Sequence, residues 1–510
     1  MPATTSIRNA LSRPSTVLCL IAAYFVLSVA FRLLRSDALQ NDEAEQLFQS
    51  QFLLWGYGRQ PPFYNWLQMG MFELFGTSVA ALSILKNLLL FLTCVLFGLA
   101  GRQVLKDRAM PAAVALGVLT LPATLIMAQR DLTHAIATFC FVALFLLAFL
   151  RTLTRPSLGA YLLTGIVVGL GLITKYNFVI LPVAAILAAL ADEDFRKRVL
   201  DWRLLPALIV AGLICLPHAL WVMGNLQEAT EGTISAMRED ASGNAVLDRI
   251  EGLFSMLLSA VEGSVPTLVF FAIAFPGRVK AAWRAQSRWT RLTGLILVIS
   301  LVMVAMISLG FGASSIRQKW LAPFLMVLPL YVCLKLDAAG IDARPGLPRL
   351  TGAILGVAFV FIAYLFAANV VGPMFNKYGK ENIPYRAFYQ TLLSERAAEA
   401  PPSVVITDDL VLAGVARILF PDAKVRMPGD GEVQSEPEDV LPRGTVLVVW
   451  LPKQHKVVPP LAPARLTVLL DDRGISTAEV EAKALSVPYQ FSDGASSATF
   501  GYAWIANDKP

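Results

Sequence analysis

Eleven runs of mostly apolar residues, each near the length that crosses a bilayer, recur along this 510-residue chain. A spanning helix needs ~20 such residues, because inside hydrocarbon every backbone N–H and C=O must be satisfied within the segment itself. The runs fall near 16–34, 78–100, 109–129, 133–150, 158–174, 177–191, 204–222, 252–275, 292–312, 319–336 and 351–371. The sixth is short for a span. Charged residues make up only 16% of the chain, against ~25% in soluble domains. The expected fold class is an α-helical polytopic membrane protein of about 11 spans.

The net charge of +6 does not mark a nucleic-acid binder, because the basic residues lie scattered in short loops rather than in one patch. The five cysteines (Cys19, Cys94, Cys140, Cys215 and Cys333) sit far apart inside apolar runs, a spacing that suits neither a disulfide framework nor a metal site. The first run follows Arg8 and Arg13, exceeds the usual apolar core of a signal peptide, and has no small-x-small cleavage site after it. It reads as a retained signal anchor.

Orientation follows from the Lys/Arg bias of the short loops. One alternating set carries Arg8/Arg13, Arg102/Lys106/Arg108, Arg151/Arg155, Arg196/Lys197/Arg198/Arg203, Arg278/Lys280/Arg284/Arg288/Arg291 and Arg344/Arg349. The other set has fewer cations and includes Asp37, Asp42, Glu43 and Glu45. The N-terminus is therefore expected in the cytoplasm and everything after 372 outside it. The expected domains are a transmembrane domain over 1–372 and an extracytoplasmic α/β domain over 373–510. Within the latter, Ser403–Asp408 and Gly444–Trp450 read as strands and 409–419 as a helix, with Asp408 and Asp409 in a turn at the strand end.

The richest segment is the loop between the first two runs. Residues 43–54 show helical spacing, with Leu47, Leu53, Leu54 and Trp55 available to lipid, and 63–75 is too short to span. Both read as interfacial helices. Asp42 has two compatible readings: a general base at the membrane surface, or an N-cap for the 43–54 helix with Glu45 at N3 of a capping box.

The loop continues Gly56-Tyr57-Gly58-Arg59-Gln60-Pro61-Pro62, then Trp66-Leu67 and Phe75-Gly76. Further on stand Gly171-Leu-Ile-Thr-Lys175-Tyr176 and Pro217-His218-Ala-Leu-Trp221. In this order, with Asp42-Glu43 ahead of them, these motifs resemble the integral-membrane, polyprenyl-phosphate-sugar-dependent glycosyltransferases. That GT-C superfamily includes the aminoarabinose transferase of lipid A and the protein O-mannosyltransferases. The resemblance covers about the first 330 residues.

The resemblance implies an inverting transfer from a polyprenyl-phosphate sugar donor to a glycolipid, polysaccharide or protein acceptor, in a bacterial inner membrane. It implies Asp42 as the catalytic carboxylate, with Asp131 matching a second acidic position; a helix-start role beside Arg130 is an equal alternative for Asp131. Lys175, Arg317 and Lys319 are expected to hold the donor phosphate, though cations at helix ends also snorkel. Lys86 stands three residues after the position where relatives carry an arginine, near Ser83. Glu43, Tyr57, Arg59, Gln60, Tyr176 and His218 are expected to position substrate. Relatives often carry an acidic residue or His where Arg59-Gln60 stands, and an arginine there suits a uronic acid carboxylate. His134 and His218 are lone histidines, more in keeping with hydrogen-bonded structural roles than with a closed zinc set. A divalent cation remains an open possibility in this superfamily.

Two rival readings are a transporter or flippase of lipid-linked sugars and a non-catalytic membrane scaffold. The first predicts matching halves with broken helices at mid-membrane. The chain shows no internal repeat, and its polar residues concentrate at one membrane face. The second leaves Asp42 and Pro61-Pro62 without a purpose.

Overall fold

The computed structural model describes residues 9–238, 241–396, 398–428, 444–452, 466–467, 470 and 481–507. Arg8, one of the cations expected before the first span, lies outside them. Each of the eleven expected runs falls on helix. Among the described residues, eight helices are long and apolar enough to cross a membrane: Pro14–Arg35, Val79–Arg102, His134–Thr154, Leu204–Gly224, Ala245–Ala274, Arg288–Phe311, Gln318–Ala338 and Leu347–Val370. The chain is thus a multi-pass membrane protein, with eight or nine spans by length and composition rather than the expected eleven. Leu158–Leu172 and Tyr176–Leu190 are apolar helices too short to meet that measure.

The ninth span is broken. Met110–Thr120 and Ala123–Arg130 meet at a 68° bend. The cause is local: Leu121 precedes Pro122 and takes an extended backbone at ψ 130°, since the proline ring disfavours helix in the residue before it. The Thr124 hydroxyl donates to the carbonyls of Val118 and Leu121, satisfying groups that the break would otherwise strand in hydrocarbon.

The chain forms two compact units. The first comprises residues 9–28, 55–64 and 86–361, and His134–Thr154 is its most enclosed span, with 83% of its apolar window buried. Its Leu158–Leu172 and Leu204–Gly224 helices approach through small residues. A Cβ on Gly165 would stand 2.2 Å from the Ala207 carbonyl oxygen, and one on Gly169 would stand 3.1 Å from Ala211 Cα. In lipid, such close backbone approach supplies the packing that association needs.

The second unit comprises 29–54, 65–85 and the described residues from 362 onward. Five strands, β1 (Val404–Thr407), β2 (Lys424–Arg426), β3 (Gly444–Trp450), β4 (Lys483–Pro488) and β5 (Ser497–Asn507), form a sheet in the order β2-β1-β3-β5-β4. β1 is parallel to β2 and β3; β5 is antiparallel to β3 and β4. The Leu410–Leu419 helix links β1 to β2, so the α/β expectation holds. Asp409 is its N-cap, accepting from Val411 and Leu412 N–H at 2.9 and 3.0 Å. One sheet face, with Val405, Leu447, Val449 and Phe500, packs on Phe388, Leu412, Val415 and Ala416. That core also takes in Ala44, Leu47 and Phe72 from the first loop. Leu47 is therefore buried rather than lipid-facing, because its partners come from residues far along the chain. Leu53 and Trp55 are exposed, as expected.

Gly165→Leu forces a side chain into a backbone contact and is expected to cost about 1–3 kcal/mol, by the usual penalty for overpacking. Gly159 lies on the same helix with open space around its Cβ position, so Gly159→Leu serves as the control. Thermal unfolding of both variants in detergent checks this; equal midpoints would overturn the close approach.

Candidate functional site

The second unit carries Asp42 and Glu43. The Asn41–Gln49 helix begins two residues earlier, and ends five earlier, than its spacing indicated. Gln40 is the N-cap, and Glu43 rather than Glu45 stands at N3, its carboxylate accepting from Gln40 N–H at 3.1 Å. Asp42 is thus a first-turn residue and not the cap. A carboxylate there faces the positive end of the helix dipole.

Glu43 has a second partner that spacing alone did not reveal. Arg32, in the last turn of the first span, donates through Nε to Oε1 at 3.2 Å and through Nη2 to Oε2 at 2.6 Å. Its remaining N–H groups reach the Ser36 carbonyl at 2.7 Å and the Ala38 carbonyl at 3.0 Å. Both side chains are 5% exposed. Glu43 holds the helix that carries Asp42, and Arg32 holds Glu43. A cation inside the last turn of an apolar run was the available signal for Arg32.

The same helix packs by Ala44 on Gly414 of the Leu410–Leu419 helix, where an added Cβ would stand 2.9 Å from Ala44 Cα. Just beyond it, the Gln51 amide accepts from Val425 N–H at 2.8 Å and donates to Val425 O at 3.3 Å, closing the β2 edge of the sheet.

The first unit gathers the remaining candidates. Tyr57 and Gln60 exchange backbone hydrogen bonds at 3.0 and 3.1 Å, a two-residue hairpin with Gly58 at φ 57° and Arg59 at its exposed tip. The positive φ is one that glycine adopts readily. Tyr57 is buried, and Gly56 lies flat on the Trp221 indole, where a Cβ would come within 2.2 Å. His218 Nδ1 donates to the Trp55 carbonyl at 2.6 Å. In the neutral ring this leaves Nε2 as a buried acceptor with no partner among the described residues. The imidazole stacks between Tyr176 at 5.7 Å and Trp221 at 5.9 Å.

Lys175 follows the Leu158–Leu172 helix, and the positive charges of Lys175 and Arg59 both reach His134. His134 in turn packs on the Tyr64 ring at 5.2 Å. Asn177 Nδ2 donates to the Trp320 carbonyl at 3.3 Å, joining segments 143 residues apart. Arg317, the N-cap residue of the Gln318–Leu325 helix, and Lys319 therefore lie beside the Lys175 segment. Ser255 and Ser259 fix the approach, bonding Ile316 N–H at 2.9 Å and Ile316 O at 2.8 Å.

Lys86 is buried on the second span, next to Asn87, whose Oδ1 accepts from Gln129 Nε2 at 3.4 Å. That bond sets the Lys86 turn beside the Gln129–Asp131 segment. Asp131 ends the broken span instead of starting the next helix. In the first unit the Lys175 segment thus meets the segment that carries Arg317 and Lys319. In the second unit Glu43 anchors the helix that carries Asp42.

A family model described as dolichyl-phosphate-mannose-protein mannosyltransferase matches residues 59–221. The lipopolysaccharide core galacturonosyltransferase RgtA of Rhizobium johnstonii is 40% identical over 488 residues, 95% of this chain and 96% of that protein. RgtB of the same organism, also a lipopolysaccharide core galacturonosyltransferase, is 38% identical over 96% of this chain and 97% of its own. ArnT from Cupriavidus metallidurans, solved bound to undecaprenyl phosphate, superposes with a TM-score of 0.62 at 15% identity, over 95% of this chain and 97% of that one. Its fold is the one seen here.

Removing one partner of the buried pair leaves the other charge uncompensated. Arg32→Met is expected to destabilise the protein by about 3–5 kcal/mol, and the double variant Arg32→Met/Glu43→Met to recover most of the loss. Thermal midpoints in detergent read both; a double variant as unstable as the single one would contradict the pairing.

Proposed function

Because the chain belongs to the family of the lipopolysaccharide core galacturonosyltransferases, we propose that it transfers a galacturonosyl residue from a polyprenyl-phosphate carrier to a sugar of a lipopolysaccharide core. The names of RgtA and RgtB support the sugar and the acceptor. The polyprenyl-phosphate carrier is supported by the fold shared with ArnT, which was solved with undecaprenyl phosphate bound. The loop charges support a bacterial inner-membrane enzyme with a cytoplasmic N-terminus, a transmembrane domain over 1–372 and a periplasmic domain over 373–510.

The observation that carries the reading is the meeting of the segment after Lys175 with the segment that carries Arg317 and Lys319, through the Asn177–Trp320 bond. A departing phosphate monoester needs cations placed where its charge grows, and that need would be met where these distant segments converge. The acceptor hydroxyl oxygen attacks the anomeric carbon, forming the new glycosidic bond as the carbon–oxygen bond to phosphate breaks with inversion. Asp42 takes the hydroxyl proton, and Asp131 supports the acceptor side. Lys175, Arg317 and Lys319, with Lys86 deeper in the membrane, offset the charge of the leaving group. Polyprenyl phosphate departs as a stable anion and needs no proton. Tyr57, Gln60, Tyr176 and His218 line the donor side, where the His218 acceptor nitrogen suits a sugar hydroxyl.

Asp42→Asn keeps the shape of the side chain and removes the base. Transfer is expected to fall about 10²–10⁴-fold, the usual contribution of a positioned general base, with affinity for the lipid donor little changed. The measurement is free polyprenyl phosphate released from a lipid-linked galacturonate donor plus core acceptor, followed by mass spectrometry. Equal release by variant and wild type would remove Asp42 from the mechanism. Absence of release by wild type, with acceptor present, would favour a flippase or scaffold.

A further inference from the structure

Arg59 sits at the tip of a hairpin whose other parts are tied down. The Tyr57–Gln60 backbone pair closes the turn, Gly56 lies on the Trp221 ring, and the Trp55 carbonyl is bonded to His218. The stem of Arg59 runs along the Leu226–Met237 helix, with Cδ 3.2 Å from where a Cβ on Gly232 would stand. The guanidinium itself makes no ion pair and donates no hydrogen bond among the described residues. A long, entropically costly side chain has thus been mounted rigidly while its five donors are left unspent.

Arg59 and Lys175 both act on His134, so two like charges share one neighbourhood. Like charges held together strengthen the field that attracts anions. The donor proposed above carries two. One is the phosphate on C1; the other is the carboxylate on C5, across the ring oxygen from C1. Lys175, Arg317 and Lys319 account for the first.

We propose that Arg59 binds the carboxylate of the transferred uronic acid and is the residue that selects an acidic sugar over its neutral counterpart. A planar guanidinium pairs with a carboxylate through two parallel N–H···O bonds, a geometry that a neutral hydroxymethyl group cannot match. Gly232 serves the same selection indirectly, by leaving room for the arginine stem. The inference rests on the galacturonosyl reading, and its test separates the two.

The purified full chain in lipid is given polyprenyl-phosphate galacturonate or polyprenyl-phosphate galactose with core acceptor, and kcat/KM is measured for each. Wild type is expected to prefer the acidic donor. Arg59→Gln is expected to lower the acid-to-neutral ratio by about 10–10²-fold, the scale of a lost charge-assisted hydrogen bond. Arg59→Lys, which keeps the charge without the fork, is expected to fall between. Gly232→Leu, which crowds the stem, is expected to shift the ratio the same way by less. An unchanged ratio in Arg59→Gln, including the case where both donors decline together, would overturn the assignment and leave Arg59 a structural residue of the hairpin. Failure of wild type to use either donor would instead sink the galacturonosyl reading, and it would be seen before any variant is compared.

Discussion

The buried pair between Arg32 and Glu43 is the constraint on which the placing of the Asn41–Gln49 helix in the second unit depends. A nine-residue helix is marginal in water by itself, because nucleation is costly and few hydrogen bonds repay it. Asn41–Gln49 is held from outside: at its N-terminus by Arg32 acting through Glu43, and along its flank by Gly414 packed on Ala44. Asp42 stands between these two anchors. An ion pair is an expensive anchor, since both charges give up water. What it supplies is direction: the arginine fork and the Ser36 and Ala38 carbonyls leave little freedom in how the first span hands the chain to the helix. The base role proposed for Asp42 would need this kind of mounting.

The sheet completes the mounting. Its core is shared between the C-terminal strands and Ala44, Leu47 and Phe72 of the first loop. Gln51 adds a side-chain amide to the exposed edge of β2, meeting the backbone groups of Val425 as a further strand would. Residues 29–54 and 65–85 and the C-terminal region are therefore one compact unit despite the separation between them in sequence. Ser36 and Asp37 continue the union: the Gln490 side-chain oxygen accepts from the Ser36 hydroxyl at 3.1 Å and from Asp37 N–H at 3.4 Å.

What the sequence could disclose follows from the range of each interaction. Apolar runs reflect the solvent that surrounds a segment, so the apolar helices were legible to within a few residues, though not which of them are long enough to span. The α/β character of the C-terminal region was legible for a similar reason, in short apolar runs such as Val404–Thr407. Leu121-Pro122 carries a local rule that forbids an unbroken helix, yet the run was read as continuous because hydropathy is blind to it. The cap at Gln40 was missed because Gln is a poor cap by residue type, and only the Arg32 partner gives the Glu43 position its force. Leu47 was assigned to lipid because a nine-residue amphipathic helix looks the same on a membrane and on a domain. The motif residues were legible through resemblance; their meeting was not, because a bond such as Asn177 to Trp320 leaves no pattern in either segment.

The cations of the less basic loops sort by what they spend their donors on. Arg32 is consumed by Glu43 and two carbonyls. Arg238 and Arg249 donate to the Phe311 and Leu309 carbonyls, where the Arg288–Phe311 helix ends and leaves acceptors unmet. These are structural uses, and each satisfies a backbone or carboxylate group that would otherwise be stranded. The segments that carry Lys175 and Arg317 and Lys319 meet at the Asn177–Trp320 bond, and Arg59 rests on a rigid turn with its donors open. Positive charge outside the basic loops runs against the bias that orients a membrane protein, so it persists where something offsets the cost. For the structural arginines the compensation is visible within the fold. For Arg59, the carboxylate of the proposed acidic donor would be that compensation.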